Sequence, residues 1–202
     1  AQLSELITDN TVITTDVGQN QVWVAQSFKV KENQRILFSG GHGAMGYSLP
    51  AAIGAYYASL KPIICFSGDG GLQMNIQELQ FIKAYNIPVK IVLFNNHSLG
   101  MIRHFQEMYF NSNFSQTKEN TGYSVPNFCK IAKAYGIRSI KISTKNEINK
   151  LKSILNDNES AFIEIRLSDT TYVFPKLAIN KPINDQEPEM DRNLYSNLMN
   201  GI

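Results

Sequence analysis

The sequence contains, at residues 62–71, the stretch PIICFSGDGG, in which a short apolar run leads into a glycine-rich turn. Similar β-branched runs occur at Val12–Thr15, Arg35–Phe38 and Val89–Phe94, and stretches with helical periodicity separate them. Continuous apolar strands that alternate with helices are typical of a parallel sheet covered on both faces. The pattern therefore predicts a doubly wound α/β domain with a mainly parallel, six-stranded sheet and helices on both faces.

The same alternation predicts the other elements of the chain. Two further strands are expected at Ile137–Ile142 and Ala161–Leu167. The predicted helices are Gln21–Phe28, Met45–Leu60, Ile76–Tyr85, Met101–Met108, Pro126–Tyr135 and Glu147–Leu155, with a polar loop at Asn111–Gly122. Residues 1–167 would form the domain. Residues 168–202 are rich in prolines and acids, which predicts an extended tail with at most a short helix near its end, packed on the domain or ordered by a partner.

The composition favours a globular protein over a disordered one. Of the 202 residues, 43% are hydrophobic and 18% are charged, and the net charge is +2. No cluster of Lys and Arg indicates a nucleic-acid face, and the longest apolar runs are too short to span a bilayer. Cys65 and Cys129 form neither a disulfide framework nor a zinc site, so reduced thiols are expected. These features predict a cytoplasmic protein without nucleic-acid or membrane partners.

Residues suited to binding a charged ligand follow three of the predicted strands. They are Asp16–Asn20 after the first strand, Ser67–Gly71 after the third and Asn95–Ser98 after the fourth. In doubly wound sheets, ligands bind beyond the carboxyl ends of the strands. Glycines allow the backbone to approach a phosphate closely. Asp69 and Asn96 each offer one oxygen, and Mg²⁺ suits a site with few protein ligands.

The motifs Gly68-Asp69-Gly70 and Asn95-Asn96 leave 24 residues between Gly70 and Asn95, enough for one helix and one strand. Both motifs should then lie at one edge of the sheet. This spacing resembles the diphosphate-binding motif of thiamine-diphosphate enzymes. Further blocks within residues 10–167 look like the C-terminal domain of the acetolactate synthase (acetohydroxyacid synthase) family. These blocks are Thr15–Gln19, Ser39–Gly41, Met45–Tyr47, Leu49–Gly54, Met74–Leu79 and Leu99–Met101.

The resemblance implies that this domain binds thiamine diphosphate and Mg²⁺. Asp69 and Asn96 would bind the metal through their side chains, and Ser98 through its backbone carbonyl. The backbones of Gly43 and Met45 would bond the aminopyrimidine ring, and Met45 would also wedge beneath the cofactor, although its residue type alone indicates a core methionine. The diphosphate would be held by Gly18, Gln19, Asn20, Gly70 and Gly71, and the cofactor site would also include Val17, Gly68, Gly100 and Met101.

The reaction that the resemblance implies is decarboxylation of pyruvate or another 2-keto acid, with transfer of the two-carbon unit to a carbonyl acceptor. In the family, the glutamate that activates the cofactor lies on a separate pyrimidine-binding domain, usually in a neighbouring subunit. This chain has too few residues for that domain as well, and Glu78, on a helix after the diphosphate loop, is expected to be structural. The expected partners are the keto acid and a pyrimidine-binding domain of the same enzyme or of a partner chain, in a homodimer or larger assembly.

Three positions depart from the family pattern. Asn20 replaces the usual histidine, Phe105 stands where a tryptophan helps to choose the acceptor, and His42 replaces an apolar residue. Phe105 would keep an aromatic wall beside the substrate. His42 would either contact the substrate or be satisfied by backbone groups.

Alternatives to this function stay open at the level of sequence. The Phe105 departure is compatible with an enzyme that acts on a keto-sugar in polysaccharide synthesis. A stand-alone cofactor-binding module or subunit without turnover of its own is a second alternative. A nucleotide-binding Rossmann domain is a third, but the glycine fingerprint that it requires after the first strand is missing.

Overall fold

Six parallel strands form the centre of the computed structural model, which describes residues 1–201. Their order across the sheet is β2-β1-β3-β4-β6-β5, and every neighbouring pair is parallel. The strands are β1 (Val12–Thr15), β2 (Arg35–Phe38), β3 (Ile63–Gly68), β4 (Val89–Asn95), β5 (Arg138–Ile142) and β6 (Ala161–Arg166). The predicted doubly wound α/β fold with a six-stranded sheet is confirmed.

The register of the central strands brings their carboxyl ends to one edge of the sheet. Thr15 of β1 pairs with Phe66 of β3, and Gly68 of β3 pairs with Phe94 of β4. The chain runs outward from β1 to β2 and then returns to the other side of β1 to form β3. The order of the strands therefore reverses between β1 and β3. In doubly wound folds such a switch point leaves a crevice in which ligands bind.

Helices cover both faces of the sheet. The α-helices of the sheet domain are α1 (Gln2–Leu6), α2 (Gln19–Ser27), α3 (Ser48–Ser59), α4 (Asp69–Met74), α5 (Glu78–Ala84), α6 (Gly100–Tyr109), α7 (Phe128–Ala134) and α8 (Lys152–Asn156). One core cluster joins the sheet to α3, α5 and α7, and the other joins it to α2 and α8. Among residues 1–201, no helix is long and apolar enough to cross a membrane.

Several helices begin or end elsewhere than the periodicity predicts. Helix α3 begins at Ser48 rather than Met45, because the preceding Gly46 has a positive φ of 85° and interrupts the helix. The predicted helix Glu147–Leu155 divides into a 3₁₀ helix, Lys145–Leu151, followed by α8. A short helix that was not predicted, α4, begins at Asp69 directly after β3 and uses the glycines of the turn.

The chain divides into two compact units, and the boundary follows Thr171. The second unit contains two short antiparallel strands, β7 (Lys176–Leu177) and β8 (Gln186–Glu187), and helix α9 (Arg192–Asn200). The side chain of Asp191 caps α9 by accepting bonds from the backbone of Asn193 and Leu194. The helix near the end of the predicted tail is thus present, together with a strand pair that was not predicted.

Candidate functional site

Three loops meet where β1, β3 and β4 end. The loop after β1 begins at Asp16, the turn after β3 begins at Asp69, and the loop after β4 contains Asn96 and Ser98. The three strands are neighbours in the sheet and end at the same edge. The Gly-Asp-Gly and Asn-Asn motifs, which are distant in sequence, are therefore adjacent in space.

Asp69 connects two of these loops directly. Its Oδ2 accepts a bond from the backbone nitrogen of Ser98 at 3.3 Å. Its Oδ1 accepts from the backbone nitrogen of Gly70 at 2.7 Å and from the Tyr123 hydroxyl at 2.8 Å. The side chain is almost fully buried. Burial raises the pKa of the Asp69 carboxyl, and the bonds from Tyr123, Ser98 and Gly70 offset part of this rise.

Tyr123 is a site residue that the sequence analysis missed. It lies just after the polar loop, 54 positions from Asp69, and no motif or periodicity connects the two residues. Burial and the neighbouring negative charge of Asp69 raise the pKa of the Tyr123 hydroxyl, so it stays protonated and can donate to the carboxylate. The isolated bridge between Ser98 and Lys118 brings this part of the chain to the loop after β4.

Gln19 and Asn96 form a second buried connection. Asn96 Nδ2 donates to Gln19 Oε1 at 3.1 Å, and both side chains are more than nine-tenths buried. Within residues 1–201, Gln19 Nε2 is a buried donor without a hydrogen-bond partner. A buried donor left unpaired costs about 1–3 kcal/mol, so the site is suited to a ligand that brings an acceptor oxygen.

A cavity of about 320 Å³ opens between these loops. All of the residues predicted to bind the cofactor or the metal line it. They are Val17, Gly18, Gln19, Asn20, Gly43, Met45, Gly68, Asp69, Gly70, Gly71, Asn96, Ser98, Gly100 and Met101. The cavity is also lined by Gln21, Trp23, Phe94, Leu99 and Ile102, which the sequence analysis did not single out as ligand contacts.

Two of these residues have contacts that refine their predicted roles. Asn20 Nδ2 donates to the carbonyl of Asp16 at 2.8 Å, so this amide group holds the loop after β1 together. Met45 lies in the turn before α3 with 41% of its surface exposed. Its methyl carbon lies 3.1 Å from the point that a Cβ on Gly70 would occupy, so the side chain overhangs the start of α4.

His42 and Phe105 are not among the residues that line the cavity. His42 is exposed in the glycine-rich segment before Gly43. Phe105 lies on α6, is 42% exposed, and packs against Tyr109 with ring centroids 4.8 Å apart. Both predictions of substrate contact stay predictions.

The sequence is similar to a known domain family over most of its length. Residues 16–165 match the family described as thiamine pyrophosphate enzyme, C-terminal TPP binding domain. The acetolactate synthase large subunit of Lactococcus lactis is 40% identical over 176 residues, which are 87% of this chain and 30% of the relative. The probable acetolactate synthase large subunit of Methanocaldococcus jannaschii is 46% identical over 160 residues, 77% of this chain and 26% of the relative. The chain thus spans about 30% of the length of such relatives.

Proposed function

The chain belongs to the family of C-terminal TPP-binding domains of thiamine pyrophosphate enzymes, and from that premise we propose that it is the thiamine diphosphate and Mg²⁺ binding portion of an acetolactate synthase-like enzyme. Such an enzyme would decarboxylate pyruvate or another 2-keto acid and transfer the two-carbon unit to a carbonyl acceptor. The observation that carries the proposal is the bond from the Ser98 backbone to Asp69, which joins both halves of the motif at the cavity. The similarity to acetolactate synthase large subunits supports the reaction class.

Mg²⁺ would be held by Asp69, by the side chain of Asn96 and by the backbone carbonyl of Ser98. The donor set fits this ion, since Mg²⁺ prefers oxygen ligands and keeps positions for phosphate and water. In the described chain, no three His, Cys, Asp or Glu residues form a metal-binding group. A transition-metal site of nitrogen and sulfur ligands is therefore a poor alternative for this cavity. Asn96 bonds Gln19 through its amide nitrogen, so its oxygen is the atom offered to the metal.

The cofactor would lie along the glycine-rich wall of the cavity. The backbone of Gly18, Gly70 and Gly71 would meet the diphosphate, and Gln19 Nε2 would gain an acceptor from it. The turn with Gly43 and Met45 would bond the aminopyrimidine ring, with Met45 beneath the two rings. The remaining contacts would come from Val17, Asn20, Gly68, Gly100 and Met101, which also line the cavity.

The protein's part in the reaction is to hold the cofactor, to orient it and to exclude water. When bound, thiamine diphosphate supplies a carbon nucleophile that also serves as an electron sink for decarboxylation. The glutamate that activates it would come from a pyrimidine-binding domain of the same enzyme or of a partner chain in a dimer or larger assembly. Phe105 would form an aromatic wall beside the substrate, and His42 would either contact the substrate or be satisfied by backbone groups. Cys65 and Cys129 are both free thiols, which supports a reducing compartment such as the cytoplasm.

Calorimetric titration of the purified protein with thiamine diphosphate tests the proposal. We expect saturable binding of one cofactor per chain when Mg²⁺ is present and a large loss of affinity in EDTA, because the metal neutralises the diphosphate beside Asp69. Thiamine without its phosphates serves as the control ligand and should bind far more weakly. Equal binding with and without Mg²⁺ would contradict the metal assignment, and tight binding of NAD⁺ in place of the cofactor would overturn the function.

The variant Gly100→Ala should weaken cofactor binding by a factor of about ten or more. A Cβ at Gly100 would lie 2.1 Å from Gln19 Oε1 and 2.7 Å from Asn96 Nδ2, so it would displace both side chains from the cavity wall. The matched control is Gly54→Ala on α3, where a Cβ meets nothing within 4 Å. Gly54→Ala should leave cofactor binding unchanged and raise the stability of the protein slightly, since alanine favours helices. Calorimetry and thermal unfolding of both variants provide the comparison, and equal affinities would contradict the prediction.

A further inference from the structure

Asp16, at the end of β1, is a completely buried carboxylate with four hydrogen bonds. Its Oδ1 accepts from the backbone nitrogens of Val17 and Gly46, both at 2.9 Å. Its Oδ2 accepts from the backbone nitrogen of Ser48 at 3.0 Å and from the Ser48 hydroxyl at 2.9 Å. Both oxygens therefore bind the chain around Gly46, which is 30 positions away in sequence.

Hydrogen-bond donors, rather than a cation, stabilise this carboxylate. Among residues 1–201, no ion pair between Asp16 and a Lys or Arg side chain is present. A buried charge is costly unless hydrogen bonds satisfy it. Because all four donors are directed at one carboxylate, the bonds fix the positions of both the carboxylate and the donor groups.

Asp16 also contacts the helix that begins at the Gly-Asp-Gly motif. A Cβ on Gly71 would lie 2.6 Å from Asp16 Oδ1 and 2.8 Å from its Cγ. Neither atom can move away easily, because Oδ1 is held by two backbone donors. Gly71 is thus required by the close approach of Asp16, in addition to the diphosphate contact proposed for it.

The segment that Asp16 holds is the turn that carries Met45. Gly46 has a φ of 85°, and its carbonyl accepts a bond from Asn75 Nδ2 at 2.8 Å. A Cβ on Gly46 would lie 2.7 Å from both Met74 Cβ and Asn75 Nδ2, so the turn is pressed against the end of α4. The turn is therefore held by Asp16 through its backbone nitrogen and by Asn75 through its carbonyl.

We propose that Asp16 is the positioning residue of the cofactor site, whose carboxylate fixes the Met45 turn against α4. Gly43 and Met45, from the segment before α3, and Gly70 and Gly71, from α4, all line the cavity. Asp16, which is not among the lining residues, bonds the backbone of the first segment and closely approaches Gly71 of the second, so it sets the distance between them. This inference rests on the proposed function, because the two segments are those assigned to the aminopyrimidine ring and the diphosphate.

The decisive variant is Asp16→Asn. An amide has one acceptor oxygen, so whichever way it is turned, the backbone nitrogen of either Gly46 or Ser48 loses its acceptor and faces an NH₂ group. In the cofactor-free protein, hydrogen exchange at the Gly46 and Ser48 amides should become at least about tenfold faster. Affinity for thiamine diphosphate with Mg²⁺ should fall about tenfold or more, at a temperature where the variant is folded. The substitution Asp9→Asn, at an exposed residue, is the control and should change neither the hydrogen-exchange rates nor the affinity.

If Asp16 contributes only to global stability, different results are expected. Asp16→Asn would then lower the melting temperature but leave the affinity of the folded fraction unchanged. A double-mutant cycle with Met45→Ala separates the cases, because a residue that acts through the Met45 turn should lose less affinity once Met45 is truncated. Unchanged exchange at Gly46 and Ser48, or fully additive losses of affinity, would overturn the inference.

Ser48→Ala provides the test if Asp16→Asn does not fold. It removes the hydroxyl that donates to Asp16 and also contacts the Cys65 thiol, and it leaves the three backbone donors in place. Hydrogen exchange at the turn should become about threefold faster, with a similar loss of affinity. No change in either quantity would overturn the inference. The exchange measurement needs no ligand. If the wild type fails to bind thiamine diphosphate while Asp16→Asn loosens the turn, the proposed function fails and the positional role of Asp16 stands.

Discussion

The variant Asp69→Ala is expected to lose Mg²⁺-dependent binding of thiamine diphosphate, with an affinity about 100-fold or more below that of the wild type. Asp69 is the only carboxylate among the three residues assigned to the metal, and the other two offer neutral oxygens. Removing it leaves the diphosphate and its cation without the charged protein ligand. It also removes the acceptor for Ser98, so the loop after β4 loses its connection to α4. Calorimetric titration at constant Mg²⁺ measures the effect.

The variant Asp69→Asn separates metal binding from folding. Burial raises the pKa of the Asp69 carboxyl. For an acid with a raised pKa, the folded state binds the proton more tightly, so stability falls as the pH rises above about 4. The charged carboxylate therefore destabilises the cofactor-free protein at neutral pH. Asp69→Asn keeps the size of the side chain and one acceptor oxygen, so it should unfold less easily than Asp69→Ala, and it should still fail to bind Mg²⁺. Wild-type affinity in either Asp69 variant would contradict the assignment of this residue as a metal ligand.

The strands and the location of the site follow from local patterns in the sequence. Ile63–Phe66 and Val89–Leu93 are nearly continuous apolar runs and are fully buried in the structure, with Lys90 as the one charged residue among them. Strands of this kind are typical of parallel sheets that are covered on both faces. Polar, glycine-rich segments directly after three such strands then place a site at one edge of the sheet. This reasoning requires no knowledge of the strand order.

The contacts that organise the site depend on tertiary structure and could not be derived from the pattern. Tyr123 reaches Asp69 only because the chain after α6 folds back against the loop after β4. Asp16 is followed by a glycine-containing segment that suggests a phosphate loop, yet its carboxylate bonds the turn before α3. That turn also explains the misplaced start of α3, since apolar periodicity continues through Met45 while the backbone at Gly46 leaves the helical region.

Asp157→Ala is expected to destabilise the protein by about 2 kcal/mol in urea unfolding at neutral pH. Asp157 Oδ1 accepts from Lys90 Nζ at 2.9 Å, and its carboxylate also bonds Arg138. Lys90 lies on β4 with only 1% of its side chain exposed, so removing its partner leaves a buried positive charge. The loss should stay below the 3–5 kcal/mol typical of broken buried pairs, because Lys90 keeps bonds to the carbonyls of Asp157 and Glu159.

The double variant Lys90→Met/Asp157→Ala should be more stable than Asp157→Ala alone. Methionine fills most of the space of the lysine stem and removes the charge that the single variant leaves unpaired. The effects of the two substitutions on the free energy of unfolding should therefore be strongly non-additive in a double-mutant cycle. Breaking the exposed pair Lys29–Glu5 with Glu5→Ala is the control and should have little effect, since both side chains are more than half exposed. Equal stability of the single and double variants would contradict a buried charge at Lys90.

The pH dependence of the same variants tests the electrostatic origin of the effect. Although burial acts in the opposite direction, the bonds from Arg138 and Lys90 hold the pKa of the Asp157 carboxyl well below its usual range. An acid with a lowered pKa contributes stability that is present above the pKa of the unfolded chain, about 4, and is lost as the pH falls toward the folded value. The difference in unfolding free energy between the wild type and Asp157→Ala should therefore shrink as the pH falls from about 5 to about 3. A difference that stays constant over this range would mean that packing, rather than charge, accounts for the loss.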